Sequence, residues 1–356
     1  LERLAKLNVT NAGVIVLDAK TGAILAMVGS KDYFDFEQDG QVNVTTSLRQ
    51  PGSSIKIVNY AYALSSGFTP ASVIDDAPIT YNVPGSKPYS PQNYDGKFLG
   101  KITLRDAFAQ SRNVPAVRVL STYGANSMAE MGRKMGITTW PDNKYYGLSL
   151  TLGGGATKLI DLARVYATVA DYGSRPNIYS VSQVMDTSGK SIYQVGCLLS
   201  NSTCPKEQVL DQRVAFLLTD ILRDNTARAP AFGSHSTLVI PNHPEVAVKT
   251  GTSNDLRDNL TIGYTQDFVV AVWVGNNDNS PMSRVASGIT GASSIWNTIM
   301  TSLVARESKK TWEIPNGLAL KRVCTKGGKE EWFLEESPLP TCTHEYAKDR
   351  PNKQDT

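Results

Sequence analysis

Apolar positions recur along this chain in two periods, and the elements can be placed where the period switches. Ala12 to Leu17 is a strand run, Asp18-Ala19-Lys20-Thr21-Gly22 carries turn residues, and Ala23 to Val28 is a second strand run, which predicts an antiparallel hairpin. Gly29 to Thr46 is polar and reads as loop. Pro51-Gly52 is turn punctuation, and Ser53 to Leu64 has the apolar content of a buried helix ending near Gly67. Phe68 to Gly100 is rich in Pro, Gly, Tyr and Asp and predicts a long irregular stretch. Long loops in compact domains are often functional.

Thr103 is placed to cap a helix running through Gln110, with Leu104, Ala107 and Phe108 on one face. Ser111-Arg112-Asn113 interrupts, and Pro115 sits in the first turn of the next helix. Met128, Met131 and Met135 mark a further amphipathic helix and read as core. Leu159, Leu162, Ala163, Tyr166 and Val169 fall at helical spacing, closed by Gly173. Val214 to Leu222 is another helix. Glu245 to Lys249 alternates, with Val246 and Val248 on one face and Ala247 and Lys249 on the other. Leu260 to Thr265 and Phe268 to Gly275 are strand runs, and Gly291 to Ala305 is a last helix anchored by Trp296. Strands at both ends with helices between predict an α+β fold whose antiparallel sheet is assembled from the two chain ends around a helical subdomain. From Trp312 the composition turns polar. The expected division is a linker remnant over 1–11, a main domain over 12–306 and a small C-terminal tail over 307–356.

Composition adds limits. The chain has 356 residues, is 41% hydrophobic and 19% charged, and carries a net charge of +3, as an ordinary globular protein does. No dense basic run with interleaved aromatics points to nucleic acid. No apolar run is long enough to span a membrane, and Leu1-Glu2-Arg3 has neither signal-peptide shape nor an initiator Met, so an excised fragment is the simplest account. The histidines His235, His243 and His344 are scattered and no Cys-x-x-Cys occurs, so no metal site is expected. Cys197 with Cys204 and Cys324 with Cys342 would each close a short loop. Nearby pairs hint at disulfides and an oxidising compartment, four buried thiols being the alternative.

Candidate chemistry begins at Arg49-Gln50-Pro51-Gly52-Ser53-Ser54-Ile55-Lys56. Ser53 is expected at a helix start, where backbone N–H groups are free and the dipole is positive. Lys56, three residues on, shares its face. A serine hydroxyl needs a base, and a partly desolvated lysine can be one. Alone, Ser-x-x-Lys is more often a helix cap beside a solvated lysine. Ser111-Arg112-Asn113 alone is usually a helix-linking turn, and Lys249-Thr250-Gly251-Thr252-Ser253 alone a strand end. The three in this order, each in a fitting context, resemble the signature set of penicillin-binding proteins and class A β-lactamases, Ser-x-x-Lys, Ser-Asp-Asn and Lys-Thr-Gly, with Arg112 at the middle position of the second.

The resemblance extends further. The Arg49 to Ser53 run, Tyr89-Ser90-Pro91-Gln92-Asn93-Tyr94, Ser111 to Ala116, Lys249 to Ser253 with Gly263-Tyr264-Thr265, Val272 to Asn276 and Gly291 to Trp296 resemble the transpeptidase domain of class A (bifunctional) penicillin-binding proteins. It covers roughly Asn11 to Leu303, and the tail around Cys324 and Cys342 also resembles tails of that family. Two departures stand out: Ile57 replaces the usual proline after the motif lysine, and Leu260 replaces an aromatic, which could alter the substrate cleft.

The resemblance implies a penicillin-binding/serine β-lactamase-like fold and no cofactor. Its implied substrates are D-Ala-D-Ala stem peptides of peptidoglycan, with β-lactams as inhibitors. Ser53 would be the nucleophile and Lys56 its base. Ser111 would relay the proton to the leaving amine, and Asn113 would hold the substrate amide and steady Lys56. Backbone N–H groups of Ser53 and Thr252 would form the oxyanion hole. Lys249, Thr250 and Thr252, with Gly251 and Ser253 beside them, would bind the terminal carboxylate. The implied location is the extracytoplasmic face of the bacterial membrane, with anchoring through segments outside this chain. A D,D-carboxypeptidase, a β-lactamase and a once-acylated sensor module are the rivals. Against the β-lactamase, none of Glu130, Glu207 and Glu245 opens the Glu-x-x-x-Asn pattern a deacylating glutamate would show.

Overall fold

The computed structural model describes residues 6–82, 87–195, 206–283, 290–323 and 328–338. All four cysteines, and with them the expected disulfides, lie outside the described residues.

A five-stranded antiparallel sheet forms the frame. β1 (Asn11–Asp18) and β2 (Ile24–Val28) make the expected hairpin, whose turn is tied by Asp18 Oδ1 accepting from the Lys20 and Thr21 amides. Chain-end strands β5 (Ala247–Thr252), β6 (Asp258–Tyr264) and β7 (Phe268–Gly275) complete it in the order β2-β1-β7-β6-β5, where β3 (Val73–Asp76) and β4 (Gly100–Thr103) pair separately. β1 lies along β7 from Asn11 opposite Gly275 to Asp18 opposite Phe268. Both central strands are buried on both faces, and alternation sorts their side chains into two cores. Ile15, Leu17, Val269, Ala271 and Trp273 face the helical subdomain. Val16, Val270, Val272 and Val274 face the other way, onto Trp296 and Met300 of the last helix.

The helices are α1 (Lys56–Ser65), α2 (Leu104–Ala109), α3 (Asn113–Tyr123), α4 (Ala125–Met135), α5 (Leu159–Ala170), α6 (Gln212–Arg223), α7 (Asn225–Phe232) and α8 (Ala292–Val304). α1 is buried nearly all round, against α3, α4 and α6. Thr103 caps α2 as expected, accepting from the Asp106 amide. Gly173, in the left-handed region, closes the turn after α5 by donating to the Thr168 carbonyl.

The helix α7, the strands β3 and β4 and a pair of strands in the tail escape the sequence pattern. α7 contains Pro230 and is short, and its start is set by Asp224 accepting from the Ala227 amide. β3 and β4 bracket the irregular stretch. In the tail, β8 (Leu318–Arg322) pairs with β9 (Glu330–Leu334), and Trp332 packs edge-on against Phe216. Trp312 is also buried, donating from Nε1 to the Glu245 carbonyl at 2.7 Å. A few aromatics anchor this otherwise polar segment.

Candidate active site

Ser53 lies in a 3-10 turn, Gly52–Ile55, that leads into α1. With three residues per turn, positions three apart eclipse, so Ser53 and Lys56 share a face as the spacing predicts. The turn is held from several sides. Ser54 Oγ donates to the Pro51 carbonyl at 2.6 Å, and the buried Tyr166 hydroxyl of α5 donates to the Ser54 carbonyl at 2.8 Å. It also touches the edge strand backbone to backbone. A Cβ on Gly52, whose φ is +52°, would fall 2.3 Å from the Thr252 carbonyl oxygen, and one on Gly251 would fall 2.5 Å from that of Pro51. Only glycine at both positions lets the turn and β5 come this close.

β5 is the sheet edge, and its hydrogen-bond phase follows from one bond. The Ser253 amide donates to the Asp258 carbonyl at 2.9 Å. Antiparallel pairing alternates, so the 251 and 249 amides point into the sheet, and those of Thr252 and Thr250 point outward, toward the Ser53 turn.

Ser111 joins the two lysines. Its φ of +60° is left-handed, a conformation costing roughly 1–3 kcal/mol for such a residue, and such strain clusters at functional sites. Lys56 Nζ donates to the Ser111 carbonyl and to Asn113 Oδ1, both at 2.7 Å. Lys249 Nζ donates to Ser111 Oγ at 2.7 Å and to the Thr250 carbonyl at 2.8 Å. Both amines are buried, and among the described residues no carboxylate is bonded to them. Burial, reinforced by the charges of Lys249 and Arg112, holds Lys56 well below the ordinary lysine range. Burial and then Arg228 bring Lys249 down to about 7.

Asn113 opens α3, and the start of that helix is capped from a distance. Asn93 Oδ1 accepts from the amides of Asn113 and Val114 at 2.9 and 3.1 Å, and Asn93 Nδ2 donates to Asp76 Oδ1 at 2.6 Å. Arg112 donates from Nε to Asp76 Oδ2 at 2.9 Å. Asn113 Nδ2 donates to the Gln92 carbonyl, which fixes the amide so that its oxygen faces Lys56.

Ser53, Ser111, Asn113, Thr250, Thr252 and Ser253 line one cavity of about 430 Å³, with Tyr94, Leu152, Phe232 and Leu256 among its walls. Lys56 and Lys249 lie beneath it, bonded to its lining. Gly251 is not part of the lining; it supplies the close approach to the Ser53 turn. Sequence reasoning missed Asp76 and Tyr166 as supports, neither of which carries a local signal. Asn93 stands inside the Tyr89 to Tyr94 run, but its capping role has no mark in the sequence.

Comparison with known proteins gives the family and the fold. Residues 12–301 match the family model described as the penicillin binding protein transpeptidase domain. Penicillin-binding protein 1A of Neisseria lactamica is 32% identical over 327 residues, which is 91% of this chain and 38% of that protein. Its counterpart in Rickettsia conorii is 30% identical, covering 90% of this chain and 41% of that protein. The chain thus spans about two-fifths of the length of these relatives. Among solved structures, penicillin-binding protein 1A from Haemophilus influenzae superposes with a TM-score of 0.82 at 26% identity, over 94% of this chain and 54% of that one. PonA1 of Mycobacterium tuberculosis in complex with penicillin V shares the fold, with a TM-score of 0.73 at 22% identity over 96% of this chain and 88% of that one. The chain belongs to the penicillin-binding protein transpeptidase domain family.

Proposed function

We propose that this domain is a serine-type D,D-transpeptidase that cross-links peptidoglycan stem peptides at the extracytoplasmic face of the membrane and is captured by β-lactams. One observation carries the reading: Lys56, a buried amine of depressed pKa, spends two hydrogen bonds on neutral oxygens beside the cavity that Ser53 lines. A neutral amine has two N–H donors and one lone pair. With both donors engaged, the lone pair is left to take the Ser53 proton.

Ser53 Oγ then bonds the carbonyl carbon of the penultimate D-Ala, and the bond to the terminal D-Ala nitrogen breaks. The Ser53 proton passes by way of Lys56 and the Ser111 hydroxyl to the leaving amine. An acceptor amine next attacks the ester, gives its proton to Lys56, and Ser53 is released. The Ser53 and Thr252 amides stabilise the oxyanion, each such donor contributing about 2.7–4 kcal/mol. Asn113 keeps a second Nδ2 proton for the substrate amide. Lys249, Thr250 and Thr252, with Ser253 beside them, receive the terminal carboxylate, which gives the Lys249 cation the counter-charge it otherwise lacks. Among the described lining residues no glutamate is present; Glu130, Glu207 and Glu245 are paired with Lys134, Arg175 and His243 elsewhere. The lining carboxylates are aspartates, Asp95, bonded to Arg112, and Asp255.

The test is penicillin labelling followed by tryptic mapping. The peptide Gln50 to Lys56 is expected to carry the intact penicilloyl mass for many minutes after free drug is removed, and Ser53→Ala to abolish it without unfolding the domain. Label on another peptide refutes Ser53, and rapid loss with catalytic drug hydrolysis makes the domain a β-lactamase.

A further inference from the structure

Asn259 is a fully buried polar residue next to Thr252, and neither the motifs nor the proposed mechanism uses it. It stands directly opposite Thr252 in the β5–β6 ladder. Its strand neighbours Leu260 and Ile262 face the helical subdomain, so Asn259 faces the α8 side, as Val248 does two residues short of Thr250 on β5. Its two amide ends have different partners. Oδ1 accepts the backbone N–H of Ala292, the first residue of α8, at 2.8 Å. Nδ2 reaches Thr252 Oγ1 at 3.3 Å. The approach to α8 is tight: a Cβ on Gly291 would lie 2.3 Å from Asn259 Oδ1.

The helix start decides which end of the amide is which. A backbone N–H needs an acceptor, so the oxygen must face Ala292 and the NH2 must face Thr252. Thr252 Oγ1 therefore receives a hydrogen bond, and its own proton is left to point elsewhere. A threonine hydroxyl beside an acceptor would instead spend its proton there. We infer that Asn259 is a positioning residue that sets substrate selectivity: by presenting a donor to Thr252 Oγ1 it leaves the Thr252 proton available to the cavity, and so favours a ligand that ends in a carboxylate over one that ends in a carboxamide. This rests on the reading of Thr252 as a carboxylate contact. The partial positive charge at the α8 N-terminus polarises the Asn259 amide in the same sense.

Asn259→Asp is the informative variant. It keeps an acceptor for the Ala292 N–H, so the start of α8 is preserved, but it cannot donate to Thr252 and instead accepts a hydrogen bond from the Thr252 hydroxyl. The measurement is the acylation kcat/KM for an N-acyl-D-alanyl thioester bearing a free carboxylate, divided by that for its carboxamide, with thermal unfolding alongside. Because hydrogen bonds to charged groups are the strong ones, the ratio is expected to fall about 10–100-fold in Asn259→Asp, chiefly through KM, and less in Asn259→Ala. In a Thr252→Val background, Asn259→Asp should lower the ratio by less than about threefold further, because the coupling partner is gone. An unchanged ratio, equal losses on both substrates, or an undiminished drop in the Thr252→Val background would overturn the inference. A wild-type domain that neither thioester acylates at Ser53 would sink the transpeptidase reading itself. A wild type that prefers the carboxylate, with an Asn259→Asp variant that does so equally, sinks the role of Asn259 alone.

Discussion

Replacing Lys249 by methionine is expected to stabilise the domain at neutral pH, to abolish its acylation, and to flatten the dependence of its stability on pH. Lys249 is 3% exposed, and among the described residues its ammonium bonds only to the Ser111 hydroxyl and the Thr250 carbonyl, both neutral. Burial, with Arg228 next, lowers its pKa from 10.5 to about 7. Below about pH 7 the folded and unfolded chains both carry the proton, and the fold bears the full cost of a desolvated cation. Between about pH 7 and about 10.5 only the unfolded chain holds it, so stability rises with pH through that window and levels off above it. One proton corresponds to about 1.4 kcal/mol per pH unit, which gives about 2 kcal/mol between pH 7 and 9 and about 5 kcal/mol over the whole window. Methionine keeps the unbranched stem without the charge, and exchanging a buried charge for an apolar group of similar volume is often neutral or stabilising. The donors lost to Ser111 and Thr250 offset part of the gain. Lys249 also depresses Lys56, so Lys56 titrates higher in the variant and keeps part of the slope. Urea unfolding of both proteins at about pH 7 and about pH 9 is the assay. The stability gap between variant and wild type should narrow by about 2 kcal/mol at the higher pH. A gap that does not change with pH would refute the assignment of a buried, unpaired cation.

Lys56→Ala should slow β-lactam acylation by about 10²–10⁴-fold with the fold intact; an unchanged rate, read by stopped-flow labelling, would leave Lys56 with a structural role only. Asp76→Ala leaves Arg112, which is 6% exposed, with Asp95 as its remaining carboxylate partner and removes the brace of Asn93; a loss of about 1–3 kcal/mol in denaturant unfolding is expected, and a loss too small to measure would argue against a buried pair. Cys197 with Cys204 and Cys324 with Cys342 are proposed as disulfides, so thiol titration of denatured, unreduced protein should find almost no free thiol. Four free thiols would overturn both the pairing and the extracytoplasmic inference drawn from it.

The elements legible in the sequence are those whose cause is local. The Asp18 to Gly22 turn, the apolar strand runs of β1 and β7, the helical spacing from Leu159 to Val169 and the Thr103 cap each depend on residues a few positions apart, and each stands where the pattern puts it. The order of the Ser53, Ser111 and Lys249 motifs was legible for the same reason. The tail hairpin and α7 were not: β8 and β9 are secured by Trp332 on Phe216 and by Glu331 on Arg105, contacts made with distant segments.

Only the tertiary structure decided the state of the site. Nothing near Lys249 in sequence shows that its ammonium is bonded to neutral oxygens of Ser111 and Thr250, because that follows from what α2, α7 and β5 bring together. The cap on α3 comes from Asn93, twenty residues before Asn113. The approach of Gly52 to Thr252 and the aim of Asn259 at Thr252 exist only once the Ser53 turn, the edge strand and α8 have packed. A local pattern records periodicity and turn chemistry. Desolvation and hydrogen-bond direction depend on every neighbour that excludes water, and those neighbours are chosen by the whole fold.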